Sequence, residues 1–212
     1  MLKAQDLSNL LNRNGGNILD QISEERLDEY LFLKEKLSNG GVQEDSSFRD
    51  RFRSLYALNK KRISQEFKDK FFSLMDRMNA QNEVDFKQVC NELYGENEKF
   101  NLGGEHFGNL TKLAHAVNVD YPIFEKPIGE VFEFKKPSRT ASSTYERLSV
   151  YLRFYSHVRK TYRQVIEENM SYDLLKAFQI KFKQRGKAIS PIKRMDLLTR
   201  TAGDMYHRGA LI

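Results

Sequence analysis

A chain of 212 residues, 40% hydrophobic and 30% charged, is long enough for one well-filled core and too apolar to remain disordered. A single cysteine, Cys90, excludes an internal disulfide and a cysteine-rich zinc site. No apolar run approaches the ~18 residues of a membrane span, and the opening Met1 to Asp6 carries no signal-peptide pattern, so a cytoplasmic protein is the expectation.

Leu7, Leu10 and Leu11 are spaced for a first helix from Leu2 to Asn12, which Asn14-Gly15-Gly16-Asn17 should end as a turn. A second helix is expected from about Ile18 to Leu37, with Leu27, Tyr30, Leu31 and Leu33 inward and Gly40-Gly41 beyond its end. Ser46 or Ser47 is placed to cap a third, in which Phe48, Phe52, Leu55 and Tyr56 share a face. Ser64 opens a fourth with the stripe Phe67, Phe71, Leu74, Met75 and Met78, and Asp85 to Tyr94 reads as a short fifth with Cys90 on its apolar side. A methionine-aromatic stripe of this kind is read as core, and Cys90 as an inert buried thiol.

After a polar connection from Gly95 to Glu105 comes Asn109 to Phe134, the stretch with most chemical content. Leu110, Leu113, Ala114 and Val117 make an apolar stripe with Lys112 beside it. Burial among apolar groups disfavours a charged amine and brings it towards nucleophilic or basic use, although a lysine on an amphipathic helix is ordinarily a snorkelling surface residue. Glu125 follows Pro122-Ile123-Phe124 and precedes Pro127, which sets it near a helix N-terminus. The four histidines, at 106, 115, 157 and 207, show no metal-ligand spacing, so neither a metal nor a cofactor is expected.

Beyond the basic loop from Lys135 to Ser143, the longest helix is expected from about Ser143 to Asn169. Leu148, Tyr151, Tyr155, Val158 and Tyr162 face inward, with Arg159 and Arg163 together on another side. A helix from Ser171 to Gln184 follows, then a last one behind Ser190-Pro191. No segment alternates with period two. The fold class is all-α, a compact bundle of about eight to ten helices, divided either as a 1–45 arm or cap on a 46–212 domain or as one continuous domain.

Charge is segregated along the chain. From Lys135 onward there are 17 Lys+Arg against 6 Asp+Glu, a net +11, whereas residues 1–134 carry 18 against 23, a net −5. A basic half of this kind suggests a polyanion partner, although helical proteins also carry lopsided solvated charge.

The segments Thr111-Lys112-Leu113-Ala114-His115, Asn118-Val119-Asp120 and Pro122-Ile123-Phe124-Glu125-Lys126 resemble the central motif of a set of poorly characterised bacterial all-helical proteins. That group in turn distantly resembles the helix-hairpin-helix DNA glycosylases of the 8-oxoguanine type. The resemblance implies a two-lobed helical scaffold. It also implies a nucleophile role for Lys112, an acid role for Glu125, and a base pocket drawn from Phe107, His115, Tyr121 and Phe124. Lys126, Lys135, Lys136, Arg139, Arg159, Lys160 and Arg163 would meet DNA phosphates.

Glu125 stands where that family has aspartate, Lys126 where it has serine, and Leu102-Gly103-Gly104 is the only trace of its hairpin. Three expectations follow. The first is a DNA-binding protein on a glycosylase-like scaffold that has lost catalysis, with double-stranded DNA as partner. The second is an active glycosylase/lyase. The third is an interaction module of a bacterial defence or phage system, whose basic surface meets an acidic protein.

Overall fold

The structure, a computed structural model, describes residues 1–58, 63–94, 104–138 and 143–210; of residues 94, 104–106 and 144 it describes the backbone alone. Among the described residues there are eleven α-helices and no strand. In chain order they are α1 (Ala4–Arg13), α2 (Gly15–Asp20), α3 (Glu24–Ser38), α4 (Ser46–Leu55), α5 (Gln65–Gln81) and α6 (Phe86–Tyr94). Then come α7 (Gly104–Val117), α8 (Lys126–Val131), α9 (Thr144–Glu167), α10 (Tyr172–Ala188) and α11 (Pro191–His207). None is long and apolar enough to cross a membrane.

The all-α class holds, and the helix starts follow local capping chemistry. Ser64, Ser143 and Ser190 each accept from a backbone N–H three residues on, and at Ser143 Glu146 reaches back to complete a capping box. Three expected boundaries differ. The helix expected to stop at Gln184 runs on to Ala188, across a break at Lys183. Asn14-Gly15-Gly16-Asn17 is no simple turn, because α2 begins at Gly15 and the break falls later, where Ser23 accepts from the Arg26 N–H to start α3. The cap of α4 is Asp45 rather than Ser46 or Ser47. Its carboxylate accepts from Phe48 N at 2.9 Å, a charged acceptor suited to the positive helix end.

One contiguous apolar core joins nearly every helix. Leu7 and Leu11 of α1 are buried in it together with Tyr162 and Val165 of α9 and Met195 and Leu198 of α11, so segment 1–45 shares its core with the rest. Phe71, Leu74, Met75 and Met78 form the expected buried stripe of α5. Cys90 is buried, which pushes its thiol pKa up.

Charge segregation in the sequence becomes charge pairing in space. Arg185 of α10 binds Glu24 and Asp28 of α3, Lys181 binds Asp20, and Arg200 of α11 binds Glu125. Part of the basic half therefore neutralises the acidic half within the molecule. Arg147, Lys193 and Arg194 are buried.

α10 contains a sharp kink at Lys183, whose φ of 51° and ψ of −125° belong to a region that glycine alone occupies without strain. Its side chain is exposed. Lys183→Gly is therefore expected to raise stability by about 1 kcal/mol, relief of strain exceeding the entropy that glycine adds to the unfolded chain. A higher urea midpoint at unchanged slope would show it; a lower midpoint would mean that the lysine side chain, not the backbone, dominates there.

Candidate functional site

The motif stretch is a turn, 118–125, held by side chains from three helices. Thr111 and His115 stand one turn apart on α7, on the same face. Thr111 Oγ1 accepts from Phe124 N at 2.9 Å, and His115 Nδ1 bonds Tyr121 O at 2.7 Å. Tyr155 of α9 donates to Pro122 O at 2.6 Å, and Asp196 of α11 accepts from Ile123 N at 2.8 Å. All four bonds go to backbone groups of the turn, which would otherwise be buried without partners. Asn118 adds an Asx turn by accepting from Asp120 N.

His115 is fully buried, and burial drives its pKa well below the usual imidazole range. It is therefore neutral. Because Tyr121 O can only accept, Nδ1 carries the proton, and Nε2 accepts from the Tyr30 hydroxyl at 3.2 Å.

Lys112 is half-buried, and its Nζ donates to Tyr56 O at 2.9 Å. Tyr56 is the C-cap of α4, so the ammonium sits against an outward-pointing carbonyl at the negative end of that helix. Arg26 does the same for Leu55 O at 3.3 Å. Glu125 is the N-cap of α8 but makes no capping bond there; it pairs instead with Arg200, Oε2 to Nε at 2.9 Å, and Arg200 also approaches Asp204 at 3.8 Å.

Glu125, Arg200, Arg26 and Tyr56 line a cleft of about 610 Å³ between α3, α4, α8 and α11, together with the acids Glu25 and Asp50. Glu125 thus faces a solvent-filled space. The Lys112 amine is directed to the backbone of Tyr56, a residue of that same wall.

The aromatic residues expected to form a base pocket lie elsewhere. Phe107 is fully buried, its ring packed on Tyr151 at 5.0 Å and on Phe124 at 5.5 Å. Phe124 is also buried, among Phe134, Tyr151 and Phe154. Tyr121 is half-exposed, and the Arg159 guanidinium covers its ring at 4.3 Å.

Compared with known proteins, the chain matches no family model, no curated sequence and no solved structure. The glycosylase resemblance rests on the residues quoted for it.

Several functional-looking groups carried no local signal. Arg200, Arg26 and Tyr56 meet Glu125 and Lys112 only through the tertiary fold. Lys193 and Asp196 did leave a trace: they fall among Ile192, Met195, Leu198 and Ala202 on a helix whose neighbouring positions are buried. Both are fully buried. Burial lowers the Lys193 pKa, while Asp196 is pushed up to about 7 by burial against the opposing field of Lys193. Lys193 Nζ lies over the Tyr30 ring at 5.0 Å, and Asp196 Oδ1 has no hydrogen-bond partner among the described residues. Among the described residues, no three His, Cys, Asp or Glu side chains are grouped to hold a metal ion.

Of the basic residues expected to meet phosphates, Lys126 pairs with Glu130 at 3.4 Å, and Arg163 lies 3.7 Å from Asp120. Arg159 donates to Asp120 O at 3.2 Å, so two of the arginines brace the 118–122 turn. Lys135, Lys136 and Lys160 are exposed and form no ion pair among the described residues, and Arg153, seven residues before Lys160, is the same. Arg139 lies outside the described residues. Phe134 stacks on Phe154 at 4.1 Å, which brings Lys135 and Lys136 alongside α9.

Proposed function

We propose that this protein binds DNA through the outer face of α9 and the adjoining Lys135-Lys136 segment, without catalysing a reaction on it. The observation that carries the reading is the charge pattern of α9. Arg147, Arg153, Arg159, Lys160 and Arg163 fall between Glu146 and Glu167, and no acidic residue interrupts them. Ser149, Arg153, Ser156, Lys160 and Arg163 are exposed. Their spacing keeps them on one side of the helix, where hydroxyls and cations suit phosphate oxygens and no base edge is read.

The Lys112 and Glu125 geometry supports the non-catalytic form of the reading. A sugar-attacking amine must be free to meet an electrophile, and this one is engaged with a helix-terminal carbonyl, while the carboxylate is engaged with Arg200. The cleft beside Glu125 is what favours the alternative, a glycosylase/lyase in which substrate draws Lys112 out.

A salt titration of duplex binding tests the proposal. Affinity should fall linearly on a log–log plot against salt, and Arg153→Ala/Lys160→Ala should make the slope shallower by about 1.8, roughly 0.9 per lost phosphate contact. Binding that ignores salt would overturn it. Borohydride trapping on duplexes with damaged bases or abasic sites should give no adduct. An adduct that disappears in Lys112→Ala would overturn the non-catalytic part and establish the enzyme.

A further inference from the structure

We infer that the α9 face takes DNA containing unpaired bases, an exposed single strand or an overhang beside a duplex, with Tyr145 stacking on one of those bases. The inference rests on the DNA-binding reading of α9. Tyr145 is 61% exposed on the first turn of the helix, one of few large apolar side chains left in solvent. At 100° per residue, positions 145, 149, 153, 156 and 160 fall on one side, so the ring heads the line of Ser149, Arg153, Ser156 and Lys160. The first of these cations, Arg153, follows it by about 12 Å along the axis at 1.5 Å per residue.

The backbone under the ring is fixed. Ser143 N donates to Glu146 Oε2 at 2.6 Å and Glu146 N to Ser143 Oγ at 3.2 Å, which defines the first turn of α9. The same bonds turn the Glu146 carboxylate to the helix cap, so the acid next to Tyr145 is occupied there.

An exposed aromatic ring at the end of a basic, hydroxyl-bearing track is the arrangement by which single strands are held: cations follow the backbone and the ring covers a base. Inside a duplex both faces of every base are already covered by its neighbours. A single ring on a rigid helix therefore finds a stacking partner only where a base is unpaired or terminal.

The test compares fluorescence anisotropy of three DNA probes, a blunt duplex with capped ends, the same duplex with a single-stranded overhang, and the single strand alone. Each is titrated with the full chain, with Tyr145→Ala and with Tyr145→Phe. Tyr145→Ala is expected to weaken single-strand and overhang binding about tenfold and to leave blunt-duplex binding unchanged, while Tyr145→Phe, which keeps the ring, binds as the parent does. Equal effects on all three probes, or none on the overhang, would overturn the inference and leave the DNA-binding reading standing. Absence of salt-sensitive binding to every probe by the parent protein would overturn the DNA-binding reading, and this inference with it.

Discussion

Gly203→Ala is expected to destabilise the protein by about 3 kcal/mol, lowering Tm by roughly 6–12 °C for a chain of this size. In an unobstructed helix interior the same change would stabilise by about 1 kcal/mol, because glycine there costs backbone entropy. The sign is reversed by α8. A Cβ at position 203 would lie 2.3 Å from Pro127 O, 2.6 Å from Pro127 C and 2.8 Å from Pro127 Cβ. The two nearest obstacles are backbone atoms, which no rotamer change can move aside.

To make room, α8 would have to lift off α11. That movement would disturb buried Ile128 and Phe132, the Glu125–Arg200 pair and the Ile123–Asp196 bond. Gly16, in α2 with nothing within 4 Å of its would-be Cβ, is the control: Gly16→Ala should be neutral or slightly stabilising. Thermal melts of the two variants decide the matter. A Gly203→Ala protein as stable as its parent would show that α8 and α11 do not cross this closely.

Lys193→Met is expected to cost about 1.4 kcal/mol more at pH 8 than at pH 5, the difference that one pH unit above the Asp196 value near 7 corresponds to. Asp196 has a folded-state pKa raised above its unfolded value. Its contribution to stability is therefore fully present below the unfolded carboxyl pKa of about 3.9 and is lost as pH rises through the folded value near 7. Lys193 has a lowered folded-state pKa. Its contribution is present above the ordinary lysine value and is lost as pH falls through the folded one.

At pH 8 the carboxylate is ionised in a fully buried site, and the charge on Lys193 is the largest influence easing it. Methionine removes that charge and keeps most of the volume, so the Asp196 pKa rises further and the carboxylate must take up a proton to stay buried. At pH 5 the folded carboxyl is neutral with or without Lys193, and losing a buried ammonium costs little. Lys193→Met/Asp196→Asn should recover most of the loss at pH 8, since asparagine still accepts from Ile123 N. Denaturant unfolding at the two pH values measures this. Equal losses at pH 5 and pH 8 would show that packing around Lys193, and not its charge, is what matters.

Much of the secondary structure was legible locally. Ser64, Ser143 and Ser190 mark helix starts because a hydroxyl three residues before an orphan N–H satisfies it with no help from elsewhere in the chain. The stripe of α5 and the inner face of α9 are equally local, since helical period alone decides which side chains cluster. Local signals misled where two neighbours competed for one role. Asp45 took the cap of α4 ahead of two serines, and the Gly15-Gly16 pair, read as a turn, opened a short helix.

The site was less legible. Thr111, Lys112, His115 and Glu125 stood out as a pattern, but the pattern did not reveal that Thr111 and His115 serve the backbone of the 118–125 turn. The partners of Lys112 and Glu125 come from Tyr56, 56 residues earlier, and Arg200 in the last helix. Base-pocket roles for Phe107 and Phe124 could not be weighed before packing was known, because an aromatic in a core and an aromatic in a pocket look alike in sequence.

By itself, then, the sequence determined an all-α protein, the caps at Ser64, Ser143 and Ser190, the apolar stripes, and a basic helix free of acids between Glu146 and Glu167, since each of these depends on neighbours within a few residues. Only the tertiary structure decided which cations are left for a polyanion. Arg185, Lys181 and Arg200 are drawn to acids of the N-terminal half and the 118–125 turn, Lys193 and Arg194 are buried, and Arg153 and Lys160 remain exposed on α9. Charge is a property of composition, but its availability depends on which surfaces the packing of apolar faces brings together and which it leaves in water.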